Sequence, residues 1–190
     1  MRWDALFDDM EAQFAAGDRI GLEAEITERA RVDTASIELA DRLRGSLGRR
    51  IGVHLASGSA FEGMLSHAGA DGLVLNEEQQ QVLIPYASAA RYVGLGRLAV
   101  GEPSTVRQKL GLASALRGLA RDRSGLTVIL GCGSTGEASL SGVIDRVGRD
   151  FFDLAITQPG EARRSGSVSQ MSTVPFSALG ALRSLRSGEM

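Results

Sequence analysis

A glycine-rich stretch is the first place where residue type and spacing could support chemistry. Gly131, Gly133 and Gly136 have the Gly-x-Gly-x-x-Gly spacing of a dinucleotide-binding loop, and they follow the apolar run 126–130. Such a loop needs a helix to begin there, because the helix N-terminus must face the pyrophosphate. The residues after Gly136 instead match a strand found earlier in the chain. A phosphate-binding P-loop is also excluded, because Glu137 stands where its lysine is required. We therefore expect no nucleotide or other small-molecule cofactor.

The other reactive side chains do not form a catalytic or metal-binding set. His54 and His67 are the only histidines, and neither has an acidic or cysteine partner at ligand spacing. Cys132 is the only cysteine, which excludes a disulfide framework within one chain. No serine lies in a nucleophile-elbow context, and no spacing of carboxylates selects a pair for acid–base catalysis. We expect a protein that is not an enzyme and holds no metal.

The composition is that of a globular protein. The chain has 190 residues, of which 43% are apolar and 23% charged, so disorder by composition is excluded. The acidic start lacks the apolar core of a secretory signal, and no apolar run approaches the roughly 20 residues of a membrane-spanning helix. We expect a cytoplasmic location and no membrane partner.

Charge is distributed unevenly along the chain. Residues 1–41 contain eleven acidic residues and four arginines, whereas the remainder contains seventeen basic and twelve acidic residues. This pattern fits a polyanion-binding body with an acidic arm, and it equally fits helices whose surfaces are rich in glutamate. The candidates for polyanion binding are three groups of arginines: Arg49 with Arg50, Arg121 with Arg123, and Arg163 with Arg164. Solvated surface charge is the alternative, because few aromatic residues lie nearby to stack on bases.

The first residues predict an amphipathic helix over about 3–16. Its apolar residues recur every three or four positions, and four of them are candidates for binding a protein partner: Trp3, Phe7, Met10 and Phe14. A second helix is expected after Gly17. The apolar stripe could pack within the protein, pair with a second chain, or bind a different partner.

An internal repeat predicts the architecture of the rest. Leu43-Arg44-Gly45 returns as Leu116-Arg117-Gly118, and the apolar alternation that begins at Ile51 returns at Leu126. Each copy has alternating strands separated by glycine turns, and Gly63 stands where a bent strand or a close backbone approach excludes a side chain. We expect each copy to form five short, strongly bent strands that close into a small barrel behind a helix, over Ser36–Leu47 in the first copy and about Thr105–Arg121 in the second.

The first copy resembles the Sm-like and SH3-like family of small β-barrels over about 55 residues. The resemblance is carried by the strand after Gly48, the Ser57-Gly58 turn, Phe61-x-Gly63-x-Leu65, and the run ending Leu75-Asn76-Glu77. It implies an Sm-like fold and RNA binding. The chain departs from the family at the nucleotide pocket, where Asp71-Gly72 and Ile84-Pro85-Tyr86 replace the Asp-Asn and Arg-Gly motifs.

The second copy has two longer loops. The segments 131–138 and 157–167 exceed their counterparts, so they are either binding loops or tolerated surface hairpins.

The predicted organisation is an α+β protein with a helical N-terminal arm followed by two tandem five-stranded Sm-like or SH3-like barrels, each preceded by a helix. The arm is 1–35, the first barrel 36–96, a linker 97–104 and the second barrel 105–190. The leading functional hypothesis is a non-catalytic protein-interaction scaffold that binds a protein partner or associates with itself, since small barrels leave strand edges open. The alternative is an RNA-binding protein with a non-standard nucleotide site.

Overall fold

The structure is a computed structural model that describes residues 10, 25, 28–29, 31–32, 34–78, 80–104, 110–131, 138–157 and 168–184. By its internal contacts the chain divides into two units, residues 1–38 and 39–190. In the first unit, the described residues up to position 36 are helical. The second unit contains every described strand.

The second unit alternates short helices with strands. Its α-helices are α1 (Leu39–Arg44) and α2 (Leu112–Asp122). The first five strands are β1 (Arg50–Leu55), β2 (Ala60–Ala68), β3 (Gly72–Glu77), β4 (Gln80–Pro85) and β5 (Ala89–Val93). The second five are β6 (Gly125–Leu130), β7 (Ser139–Val147), β8 (Phe151–Thr157), β9 (Val168–Pro175) and β10 (Leu179–Ser184). Single 3₁₀ turns over Tyr86–Ser88 and Phe176–Ala178 join β4 to β5 and β9 to β10.

The ten strands form one open sheet in the order β5-β1-β2-β3-β4-β10-β6-β7-β8-β9, with antiparallel neighbours throughout. The first half of this order comes from residues 50–93 and the second half from residues 125–184. Strand β4 of the first half is hydrogen-bonded to strand β10 of the second half. The sheet therefore crosses from one half of the chain to the other without interruption.

The expected pair of closed five-stranded barrels behind a helical arm is wrong. The protein is mostly one open antiparallel sheet, and the two helices with defined bounds have only 6 and 11 residues. The error has a physical cause. Alternation of apolar residues predicts strands and their buried face, but it does not specify which strand satisfies the backbone groups along an edge. Here β10 satisfies those of β4.

The bounds of the two helices differ from those that the sequence predicts. Helix α1 ends at Arg44, and the turns that follow lead to Gly48, whose φ of 75° lies in the left-handed region. Helix α2 begins at Leu112, directly after the extended Gly111, and residues 105–109 of the expected helix lie outside the described residues. Among the described residues, no helix is long and apolar enough to cross a membrane.

Two clusters of buried side chains lie along the sheet. The first is centred on β1 to β4 and includes Leu43 of α1, while the second is centred on β6 to β9 and includes Leu116 of α2. The alternation predicted at Ile51, Val53 and Leu55 is confirmed, and the start of β2 has a strictly alternating pattern of buried residues. Gly63 is confirmed as a close approach, because an added Cβ would lie 2.6 Å from the carbonyl oxygen of Asn76.

The segment between the two halves packs along α1. The backbone N–H of Val100 donates to the carbonyl of Asp41 at 2.9 Å, and the N–H of Gly96 donates to Ser46 Oγ at 3.2 Å. A Cβ on Gly45 would collide with the backbone of Leu98. Leu98 and Val100, within the expected linker 97–104, therefore contact α1 and the turn that follows it.

Candidate functional site

The junction between the two halves is the most informative contact in the protein. In the β4–β10 pair, Leu182 lies opposite Leu83, and Arg183 lies opposite Val82. The Gln81 backbone N–H donates to Ser184 Oγ at 2.9 Å. At the other end of the junction, Ser88 Oγ lies 2.8 Å from the carbonyl oxygens of both Pro85 and Gly180.

Side chains cross this junction in both directions. Ile129 and Ala181 belong to the second half, yet they are buried within the first cluster. Leu83 belongs to the first half, yet it packs against the second cluster. The pairing of β4 with β10 is therefore a packed interface as well as a hydrogen-bonded one.

Arg183 adds a charged contact at the junction. Its Nη2 lies 3.0 Å from Glu77 Oε2, and its guanidinium carbon lies 5.4 Å from the centre of the Phe61 ring. Both partners belong to the first half of the sheet. The side chains of Arg183 and Glu77 are only 37% and 21% exposed, so water screens this pair less than a fully exposed one.

A polar cleft of about 460 Å³ opens beside this ion pair. Its lining residues are Arg50, Glu62, Asn76, Glu77, Glu78, Gln80 and Arg183. Both arginines are in ion pairs with glutamates of the same lining, and the Arg50–Glu62 distance is 2.7 Å. With three glutamates against two arginines, this lining does not favour an anionic ligand.

The ends of the sheet are the second notable feature. Strand β5 lies at one end and β9 at the other, and no described strand pairs with the outer edge of either. Each end strand carries a large exposed apolar side chain: Val93 on β5 is 48% exposed and Met171 on β9 is 50% exposed. Open edges of this kind are templates for pairing with another strand.

The two end strands correspond by position to the two strands that pair at the junction. Tyr92 of β5 lies opposite Val53 of β1, as Leu182 of β10 lies opposite Val128 of β6. Likewise, Leu83 of β4 lies opposite Val74 of β3, as Thr173 of β9 lies opposite Asp153 of β8.

Matching turns support this correspondence. The backbone N–H of Tyr86 donates to the carbonyl of Asp71, and that of Phe176 donates to the carbonyl of Asp150, both at 2.8 Å. Each hydrogen bond joins the start of a 3₁₀ turn to the turn before the third strand of its half. Strand β5 therefore has the same position in the first half as β10 has in the second. Strand β9 has the same position in the second half as β4 has in the first.

Polar side chains lie at or beside the two open edges. Asp153 is buried, and its oxygens accept hydrogen bonds from Thr173 Oγ1 at 2.6 Å and Arg146 Nε at 2.9 Å. Both hydrogen bonds hold the pKa of the Asp153 carboxyl below its ordinary value, and the one from Thr173 contributes most. On the other edge, burial raises the pKa of the Tyr92 hydroxyl to about 12. That hydroxyl has no hydrogen-bond partner among the described residues.

The predicted arginines that the structure describes lie on separate elements. Arg50 begins β1 and is paired with Glu62, which raises the pKa of Arg50. Arg49 is exposed just before it. Arg121 and Arg123 are exposed at the end of α2, where Arg123 adopts a left-handed φ of 48°. Arg163 and Arg164 lie outside the described residues.

The predicted partner-binding residues lie mostly outside the described part of the chain. This holds for Trp3, Phe7 and Phe14, whereas Met10 is helical and 43% exposed. Of the glycine motif, Gly131 is described and residues 132–137 are not. A strand, β7, begins at Ser139, where a dinucleotide-binding loop would lead into a helix.

The histidines remain isolated from one another. His54 on β1 lies 3.4 Å from Arg91 of β5, and His67 is exposed on β2. Among the described residues, no group of three potential ligands could hold a metal ion. The edge residues Tyr92, Val93, Met171 and Thr173 were not singled out from the sequence. Aligning the two copies strand by strand matches them to the junction residues Leu182, Arg183, Gln81 and Leu83.

Comparison with known protein families and with curated proteins finds no match to this chain.

Proposed function

We propose that this protein is a non-catalytic scaffold that associates with itself through the open edges of its sheet. The observation that carries the proposal is the β4–β10 junction. There two strands equivalent to β9 and β5 are paired and packed, whereas β9 and β5 themselves have open edges at the ends of the sheet. Edge strands with exposed apolar side chains are prone to pair with other strands. Self-association would cover Val93 and Met171.

The described part of β9 has no charged side chain that would prevent pairing with another strand, and this also supports the proposed function. Soluble proteins commonly protect edge strands with lysine or inward-pointing charges. The described edge of β9 instead carries Gln170, Met171, Ser172 and Thr173, which are uncharged. An edge of this composition favours pairing over protection.

The relationship to the Sm-like family, the origin of the two halves by duplication and the cytoplasmic location are part of the same proposal. The matched turns and the equal strand order of the two halves support duplication. RNA binding is the less favoured function, because Arg50 is already paired with Glu62. A salt-sensitive shift of labelled RNA would favour it.

The experiment compares two lysine variants by sedimentation velocity over a wide range of protein concentration. Met171→Lys places a charge on the open edge β9, and we expect it to weaken self-association strongly. Met64→Lys is the matched control, because Met64 is 52% exposed but lies on β2, a strand paired on both sides. A wild-type chain that stays monomeric throughout, or equal weakening by both variants, would contradict the proposal.

A further inference from the structure

We infer that helix α2 carries a docking surface at Gly118 for a crossing chain segment, and that its occupant is the segment that follows β10, residues 185–190. These six residues lie outside the described part of the chain. This contact does not depend on pairing at the sheet edges. A comparison of the two helices supports it, because only one of two matching glycines has a described contact that requires a glycine.

The first glycine, Gly45, lies directly after α1 and is crossed by residues 96–100, which we call the strap. A Cβ on Gly45 would collide with the carbonyl of Leu98, so a residue with a side chain would not fit under the strap. The carbonyl oxygen of Asp41 accepts two backbone N–H groups there, those of Gly45 and Val100, each at 2.9 Å. The strap is therefore held on α1 by backbone contacts around a glycine.

The groups that make this contact recur on α2. Leu43-Arg44-Gly45 returns as Leu116-Arg117-Gly118, and both leucines are fully buried. Equal burial of the leucines places the two glycines on equivalent faces of their helices. The carbonyl that corresponds to that of Asp41 belongs to Ser114, one helical turn before Gly118. Helix α2 thus offers a second strap the same glycine and the same backbone acceptor.

The matching arginine is placed to take part. Arg44 Nε donates to the carbonyl of Val100 in the strap at 3.3 Å. Its counterpart Arg117 is exposed and donates through Nη2 to the carbonyl of Gly148, also at 3.3 Å. This bond does not use the Nε atom, which is the atom of Arg44 that binds the strap. A crossing segment on α2 would find the same donor.

Gly118 itself has no contact that explains it. No described residue lies within 4 Å of a Cβ built there. Gly118 lies inside α2, where glycine is less favourable than alanine because it costs more backbone entropy. A glycine at this place therefore leaves room that the described part of the chain does not use.

The order of the chain indicates which segment uses this room. The strap follows β5, and residues 185–190 follow β10, the strand that corresponds to β5. Leu95 packs against the first cluster between β5 and the strap, and its counterpart in the sequence is Leu185. Leu98 is five residues beyond the end of β5, and six residues follow the end of β10. The segment is therefore long enough to cross Gly118.

The turn before the segment differs between the two halves. Gly94 turns the chain after β5 with a φ of 86°, whereas its counterpart Ser184 still belongs to β10. A turn one residue later, at Leu185, leaves five residues. Only four separate Gly94 from Leu98, so the segment still reaches Gly118.

Two polar contacts of the strap are not repeated on α2. Arg42 Nη2 and Ser46 Oγ bind the backbone of Gly96 at 3.0 and 3.2 Å. At the equivalent positions α2 has Ala115 and Leu119, which provide no hydrogen-bonding side chain. We therefore expect docking on α2 to be weaker than that of the strap. Because the segment follows β10, its docking would tie α2 to the strand that joins the two halves.

The first test compares alanine at the two glycines in the full-length chain. With nothing above Gly118, Gly118→Ala would raise the thermal unfolding midpoint by about 2 to 4 °C through helix propensity alone. Under a docked segment it should instead lower the midpoint, as Gly45→Ala should under the strap. Ala115→Gly is the control for propensity, because Ala115 is exposed on the same helix and should lose about the same amount. A rise for Gly118→Ala overturns the docking.

The second test locates the segment without relying on stability. In a Cys132→Ser background, Ala115→Cys with Gly188→Cys should form an intrachain disulfide under mild oxidation. Adding Gly118→Ala should slow this reaction by about tenfold, the effect of about 1.4 kcal/mol of lost docking. Gly101→Ala is the matched control and should leave the rate unchanged, because a Cβ at Gly101 also meets nothing within 4 Å among the described residues.

The outcomes separate this docking from self-association at the sheet edges. A rate that Gly118→Ala leaves unchanged would overturn the docking. Disulfides that join two copies in place of an intrachain bond would show that a second copy supplies the segment, which also overturns it. A wild-type chain that stays monomeric while the intrachain disulfide forms and depends on Gly118 would overturn the scaffold proposal and support the docking.

Discussion

Asp71 of the first half caps the helix of the second half: its Oδ1 accepts a hydrogen bond from the backbone N–H of Leu112 at 2.6 Å. Leu112 is the first residue of α2, where the helix has free N–H groups and the positive end of its dipole. The glycine before it leaves room for the carboxylate, because a Cβ on Gly111 would lie 2.6 Å from Asp71 Oδ2. The turn between β2 and β3 thus fixes where α2 begins.

Removing this cap should destabilise the protein. We expect Asp71→Ala to lower the free energy of unfolding by about 1 kcal/mol, the usual cost of losing an N-terminal cap. Asp71→Asn keeps an acceptor oxygen and should retain most of the stability. Urea unfolding followed by circular dichroism measures both, and an equal loss in the two variants would show that the capping bond does not stabilise α2.

The ion pair between the halves should contribute measurable coupling. A double-mutant cycle with Arg183→Met and Glu77→Gln should give a coupling free energy of about 0.5 to 1 kcal/mol, because both side chains are largely covered. The Arg50–Glu62 pair is the control, because its side chains are 72% and 65% exposed. Its coupling should be below about 0.3 kcal/mol. Similar values for the two pairs would mean that burial at the junction adds nothing.

Stability should depend on the ionisation of Asp153. Its pKa is lowered in the folded protein, so the charged carboxylate stabilises the fold at neutral pH. That contribution is present above the unfolded pKa of about 4 and is lost as the pH falls through the lower folded pKa.

The pH dependence can be measured with Asp153→Asn. The difference in unfolding free energy between wild type and this variant should be largest at neutral pH and should shrink below about pH 4. Asp145→Asn changes an exposed carboxylate on β7 and is the matched control, for which we expect little difference at any pH. A gap for Asp153→Asn that stays constant as the pH falls would refute this role for the carboxylate.

Local features of the fold could be predicted from the sequence because their causes are local. The alternation at Ile51, Val53 and Leu55 predicts a strand with one buried face, and β1 has that pattern. The close approach at Gly63 is another such feature. The candidate site was not predictable in the same way, since the edge residues Val93 and Thr173 carry no motif, and their meaning depends on which strand lies beside them.

The sequence by itself predicted two sets of strands separated by turns and, in β1, which side chains are buried. Tertiary structure alone decided that β4 pairs with β10, so that the two sets form one sheet with open ends in place of two closed barrels. The physical reason is that backbone hydrogen bonds are the same for every residue type. An edge strand can therefore pair with any strand whose side chains match its own. Here β10 pairs with β4, and Arg183 of β10 contacts Glu77 and Phe61.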